Sequence, residues 1–267
     1  MPKKKQRYLL ETSILRKLIW GIELERGEIN SLTRDGTRFT SEYCLKEFYV
    51  GVIKALIEFY FLFKNDSLSS SQEVVSAFSQ KYGTRTPKLM MVIIAQLNNG
   101  NFTNNKVEDS ALIKTYIFDL FQKVNFQLVN QVVSNSHKCG VSKLKITELS
   151  DTQLRDFYNG IEDLYKNEPI NICKIKKFLD EKKDIIVPMH KASLKEVREM
   201  SENATRKINS CGECSHIGDL VIAMESTDLT LVTLDRSQAR MCKLQSRPYA
   251  LIENTASKIM QASRKKI

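Results

Sequence analysis

Two short apolar runs in this chain each end on a carboxylate. Tyr8-Leu9-Leu10 leads into Glu11, and Leu229-Thr230-Leu231-Val232-Thr233-Leu234 leads into Asp235. Short runs of aliphatic and β-branched residues read as strands buried on both faces, which is the environment of a parallel sheet covered by helices. Around the second run, strand and helix patterns alternate. A short helix is expected at 236–244 and a last strand at 249–252. Such alternation specifies an α/β fold with a central parallel sheet. In these sheets ligands gather at the carboxyl ends of the strands, where both Glu11 and Asp235 fall.

Two further acids sit on helical patterns. From Leu45 the apolar residues recur at 45, 48, 49, 52, 53, 56, 57 and 60, the spacing of one widely buried helix face. Glu47 lies off that stripe, six residues after Ser41, with Gly51 one turn later on its own face. Asp219 opens the helix-like run Gly218-Asp219-Leu220-Val221-Ile222-Ala223, with Ser215 as its expected cap. Two strand-end carboxylates and two helical ones can converge on one point. Like charges ~5 Å apart repel by about 3 kcal/mol at an effective dielectric near 20. Such a cluster holds Mg²⁺ or Mn²⁺, or some of its members stay protonated. Taken singly, Asp219 also reads as an acid favoured near a helix N-terminus, and Asp235 as a cap of the helix that follows it.

Elsewhere the pattern is coarser. A helix-like segment follows the first strand through Glu25, Arg34-Asp35-Gly36 signals a turn, and 38–41 reads as a brief strand. Residues 66–71 form a polar break. Residues 72–180 read as mostly helical, with loops near 98–105 and 134–140. A short strand ended by Pro188 is expected at 184–188. An amphipathic helix is expected at 193–208, with Ser193 as cap and Glu196 three residues on.

The formal net charge of +10 is unevenly placed. Residues 1–7 carry four positive side chains and no negative ones, as do residues 258–267, which leaves +2 for everything between. The body is therefore not a uniformly basic nucleic-acid clamp. The ends read as flexible arms that either follow a phosphate backbone or solubilise the chain. Six cysteines at scattered positions, with no secretory pattern, favour a reducing cytoplasmic setting over a disulfide framework. The basic run at 2–7 leaves nuclear import as an alternative. The most apolar stretch, 48–63, is too short to span a bilayer and contains Lys54 and Glu58, so no membrane association is expected. Cys211-Gly212-Glu213-Cys214 is a lone CxxC. His137, Cys139, Cys173 or His190 would have to fold back to complete a zinc site, which is not the favoured reading.

The four acidic patterns together resemble the PIN-domain family. The opening element reads Tyr8-Leu9-Leu10-Glu11-Thr12-Ser13, the second Ser41 with Glu47 six residues later and Gly51 four beyond that. The third is His216-Ile217-Gly218-Asp219-Leu220, and the fourth Leu231-Val232-Thr233-Leu234-Asp235-Arg236. They occur in family order. The resemblance covers residues 7–63 and 181–253, interrupted by an interval of 172 residues between Glu47 and Asp219. It implies a three-layer α/β/α domain with a central parallel sheet, built from 1–63 and 181–253. A mostly helical insertion at 64–180 would interrupt it, and a basic tail at 254–267 would follow. Glu11 stands where the family usually has Asp, which carries its carboxylate further out.

That resemblance further implies a metal-dependent endoribonuclease. Glu11, Glu47, Asp219 and Asp235 would be the metal ligands, directly or through water, with Mg²⁺ or Mn²⁺ as cofactor. Ser13 and Thr233 would orient a carboxylate or water through their hydroxyls, and Arg236 and Lys46 would contact phosphate. Single-stranded RNA is the expected substrate, and the insertion the expected site for a protein partner; a homo-oligomer is compatible with the sequence. Two alternatives stand beside this: a catalytically weak scaffold that holds RNA or protein, which Glu11 favours, and a toxin-like nuclease neutralised by a partner protein.

Overall fold

Leu9 and Leu10 are adjacent in the chain and both are wholly buried, so the first strand is covered on its two faces. It belongs to a five-stranded, all-parallel sheet in a computed structural model that describes residues 5–64, 67, 71–82, 106–133, 140–166, 172–189, 195, 199, 202 and 211–253. The strands are β1 (Arg7–Leu10), β2 (Thr37–Ser41), β3 (Gln131–Val133), β4 (Thr230–Thr233) and β5 (Tyr249–Leu251), in the order β3-β2-β1-β4-β5. Leu9 pairs with Phe39 on one side and Leu231 on the other. Parallel neighbours need a crossover connection rather than a tight turn.

Two compact units make up the chain. The first comprises residues 1–45, 128–139 and 168–267 and contains the sheet. On one face Leu9, Phe39 and Leu231 pack with Tyr43 and Cys44 of α3 (Glu42–Phe48) and with Leu220 and Val221 of the helix Cys211–Glu225. Met241 and Cys242 of the helix Arg236–Leu244 join the same cluster. Leu10 and Val232 alternate to the other face, and α1 (Thr12–Trp20) packs against β4. The arrangement is α/β with a central parallel sheet, consistent with a three-layer α/β/α fold. The helix expected to continue through Glu25 instead breaks at Gly21. α1 stops at Trp20 and α2 (Glu23–Thr33) begins after it. A Cβ at Gly21 would lie 2.4 Å from the Lys17 carbonyl oxygen, so the turn is too tight for a side chain. The Glu25 carboxylate then fixes the corner, accepting from the Ile22 N–H and from Lys17 Nζ, the latter at 2.7 Å.

The second unit comprises residues 46–127 and 140–167. α4 (Lys54–Phe63) packs on α5 (Ser71–Tyr82), α6 (Lys106–Gln122) and α7 (Asp151–Lys166). Its core is aromatic: Tyr49 lies 5.3 Å from Phe157 and 5.8 Å from Phe121 between ring centroids, and Phe59 meets Phe63 and Phe78. Two π-helical turns, Tyr49–Ile53 and Lys123–Leu128, interrupt its helices. Asp151 ties three elements together, accepting from Tyr60, Lys64 and Lys114. Burial works against its charge, but these donors outweigh that and hold its carboxyl well below the usual range.

Two expectations are corrected. Residues 184–188 are not a strand but part of α8 (Ile172–Met189). Phe178, Leu179 and Ile186 are buried at helical spacing, a period that extends through 184–188, and Pro188 lies one residue before the helix stops. Residues 131–133, within the stretch read as helical, form edge strand β3 beside β2. Of the helix expected at 193–208, Lys195, Glu199 and Glu202 are helical and the rest lies outside the described residues, as do the loop at 98–105, residues 134–139, residues 1–4 and the tail at 254–267. No helix among the described residues is long and apolar enough to cross a membrane.

Candidate acidic site at the carboxyl edge of the sheet

The chain leaves β1 toward β2 on one side of the sheet, while β4 lies on the other side of β1. In open parallel sheets, such a reversal of strand order makes the carboxyl ends of the two strands, here β1 and β4, the usual place for a ligand. Glu11 follows β1 immediately, and Asp235 lies two residues after β4.

Glu11 continues the strand ladder with its backbone, donating its N–H to the Val232 carbonyl. Its carbonyl then accepts from Ile14 and Leu15 N–H at the start of α1. Its side chain crosses to the neighbouring strand end. Oε1 accepts the Leu234 N–H at 3.0 Å and the Ser13 hydroxyl. Glu11 is only 6% exposed. Burial is the main reason that its carboxyl sits above the usual range. The Ser13, Leu234 and Thr233 hydrogen bonds pull it down, and the nearby Asp235 charge pushes it up.

Around Asp235 the chain makes a tight series of local bonds. The buried Thr233 hydroxyl accepts the Asp235 N–H at 2.8 Å, and Asp235 Oδ1 accepts the Ser237 N–H at 2.6 Å. Asp235 is therefore the N-cap of α10 (Arg236–Leu244), and it is exposed. Ser13 and Thr233 each bond within this pair of strand ends. Arg236, in the first turn of α10, is exposed.

Asp219 is half-buried in the middle of α9 (Cys211–Glu225), and Ser215 lies inside that helix rather than capping it. α9 approaches α3 so closely that a Cβ on Gly218 would stand 2.3 Å from the Tyr43 hydroxyl. It also packs against α10, where Gln238 Nε2 donates to the Asp219 carbonyl at 3.0 Å. Glu47 and Lys46 belong to the helical unit; Glu47 is half-buried and Lys46 is buried, at 8% exposure. Glu11 and Asp235 are thus brought together, and Asp219 stands on the helix beside Asp235's. Among the described residues no group of three or more His, Cys, Asp or Glu side chains gathers around one point that could hold a metal ion. The side chains of Cys211 and Cys214, like those of His137, Cys139, Cys173 and His190, lie outside the described residues.

Two residues escape the sequence patterns. Glu42 is buried at the first position of α3, directly after β2, with the Ser41 hydroxyl capping the same helix through the Cys44 N–H at 3.0 Å. It occupies the strand-end position that singles out Glu11, so the same rule applied to β2 finds it. Gln238 is buried, three residues after Asp235, a spacing that in sequence signals only a helix start.

Comparison with protein-family models, with curated proteins and with solved structures gives no match in any of the three.

Proposed function

We propose that this chain is a PIN-like nuclease that hydrolyses single-stranded RNA with Mg²⁺ or Mn²⁺. The observation that carries the reading is the pairing of Glu11 with Asp235 at the switch point of a parallel sheet, the first buried and charge-coupled to the second. The donor set fits the ion. Carboxylate oxygens suit hard divalent cations, and a buried carboxylate destabilised by burial and by a second negative charge is relieved by one. Glu11 and Asp235 would hold it, with Asp219, on the helix packed against the one that Asp235 caps, as a further ligand. Such an ion would polarise the scissile phosphate and activate a water.

The chain's own groups do the positioning. Ser13 and the Leu234 N–H fix the Glu11 carboxylate, and the Thr233 hydroxyl fixes the main chain at Asp235. Arg236, exposed and next to Asp235 in the chain, would contact a phosphate. The purified protein should cleave single-stranded RNA in Mn²⁺, and the double change Asp219→Asn with Asp235→Asn should abolish cleavage. Cleavage that survives it would remove these residues from the site.

One observation favours a second reading, a non-catalytic scaffold on the same fold. The Glu11 carboxylate is already satisfied from within, by a hydroxyl and a main-chain N–H. Calorimetric titration separates the two: RNA affinity without Mn²⁺ binding supports the scaffold.

A further inference from the structure

Gln238 is 1% exposed, yet only one end of its amide is used. Nε2 donates to the Asp219 carbonyl, while Oε1 is buried with no hydrogen-bond partner among the described residues. Native interiors rarely leave a buried polar atom unpaired, and such an atom asks for a reason.

Packing does not supply one. Gln238 is the third residue of α10, whose cap is Asp235. A glutamine there ordinarily turns back to the N–H of the capping residue and completes a capping box. Here that N–H is taken by the Thr233 hydroxyl, and Gln238 reaches to α9 instead. The bond it makes is not needed by α9 either. Asp219 lies mid-helix, so its carbonyl already accepts an intrahelical bond from four residues on. For folding alone an apolar side chain of similar shape would do better, since it leaves no buried acceptor unpaired.

What the bond does achieve is a fixed spacing between Asp219 and Asp235. One amide ties the main chain under the first to the helix that the second caps. We infer that Gln238 is a positioning residue of the acidic site, holding Asp219 and Asp235 at the separation that a divalent cation requires. This rests on the reading of that site as a metal site. Groups that orient carboxylate ligands without touching the ion commonly govern its affinity by 10- to 100-fold.

The test compares the full chain with Gln238→Met, which keeps the shape and removes both amide atoms, and with Gln238→Asn, which keeps an amide too short to reach Asp219. Each is titrated with Mn²⁺ by calorimetry and melted without metal. The expected result is a Tm in Gln238→Met equal to or above the starting protein's, with Mn²⁺ affinity lower by roughly 10-fold or more in both variants. Unchanged Mn²⁺ affinity in the variants overturns the proposal while leaving the metal site standing. A marked fall in Tm in both makes Gln238 a packing element and overturns it as well. Absence of Mn²⁺ binding by the unaltered chain overturns this inference and the metal reading together, and is distinguished by that.

Discussion

The Leu234 N–H donates to Glu11 Oε1 at 3.0 Å, joining residues 223 positions apart in sequence. The contact explains how a glutamate sits at the end of β1. Its side chain is one methylene longer than aspartate's, and that length carries the carboxylate across to the end of β4. There it meets the main chain just before Asp235 and the hydroxyl of Ser13. The pair of strand ends is thereby locked, and a carboxyl group is held in a buried place beside a second one.

That arrangement makes stability depend on pH in a definite direction. Glu11 has its folded-state pKa raised above the ordinary 4.5, by burial first and by Asp235 as well. A raised folded pKa means that the native state binds the proton more tightly than the unfolded chain. Its stabilising effect is fully present below pH 4.5 and is lost as pH rises through the folded value. Glu11→Gln stays neutral and keeps an oxygen for Leu234 and Ser13, so it escapes the loss. Without metal, its Tm should exceed that of the unaltered chain at pH 7, with the gap closing below pH 4.5. Equal Tm values across that range would show that Glu11 carries no strained charge. With Mn²⁺ present, the same change should weaken ion binding.

Asp235 serves two purposes that mutation can separate. As N-cap of α10 it accepts the Ser237 N–H at 2.6 Å, and as a carboxylate it adds charge beside Glu11. Asn caps a helix about as well as Asp, whereas Ala forfeits ~1 kcal/mol. Asp235→Asn should therefore melt at or slightly above the unaltered chain, since the cap is kept and a charge beside Glu11 is removed, and lose Mn²⁺ affinity, while Asp235→Ala should lose affinity and the ~1 kcal/mol of the cap in denaturant unfolding. If Asp235→Asn binds Mn²⁺ unchanged, the residue is a cap and nothing more.

The strand ends were legible because period and termination are local. Apolar runs closing on Glu11 and Asp235 predict β1 and β4 and the sheet edge where both acids lie. The double role of Asp235 was legible for the same reason, since a cap is read from the residues after it. Pairing across the sheet was not. β3 is only three residues long, too short to show a period, and its place beside β2 is a long-range contact that no local pattern encodes. The 184–188 run misleads because Ile186 and Val187 suit a strand locally, and only their spacing from Phe178 and Leu179 on α8 decides for a helix. Gln238 was invisible, because its importance lies in reaching α9 rather than in its own neighbours.

The two π-helical turns of the helical unit are joined to each other. The Tyr49 hydroxyl donates to Asn125 Oδ1 at 2.7 Å, and Asn125 Nδ2 donates to the Phe121 carbonyl at 2.8 Å. A π turn offsets the regular bonding of its helix, and Asn125, inside the second π segment, satisfies a carbonyl two residues before that segment begins. Tyr49→Phe removes the link and keeps the ring between Phe121 and Phe157, so it should cost about 1 kcal/mol in denaturant unfolding. Tyr49→Ala also opens a cavity in a fully buried position and should cost about 3–5 kcal/mol. A Phe variant as damaging as the Ala variant would mean that the hydrogen bond, and not the aromatic packing, holds this unit.

Gly218 sets how near Asp219 can come to α3. A methyl group there would lie 2.3 Å from the Tyr43 hydroxyl and 2.7 Å from its Cζ, both inside any allowed contact. Tyr43 is 3% exposed and packed in the main core cluster, so its ring has little room to yield. Gly218→Ala must therefore push α9 outward, at a cost of about 1–3 kcal/mol, and carry Asp219 with it. Removing the nearest atom with Tyr43→Phe should recover part of that loss but not all, since the ring carbon remains too close. A double-mutant cycle in denaturant unfolding measures the coupling, expected at 0.5 kcal/mol or more, roughly the range for residues in contact. Additive effects would place the clash elsewhere. Mn²⁺ titration of Gly218→Ala adds the functional half: affinity should fall with the displacement of Asp219 and return in part with Tyr43→Phe.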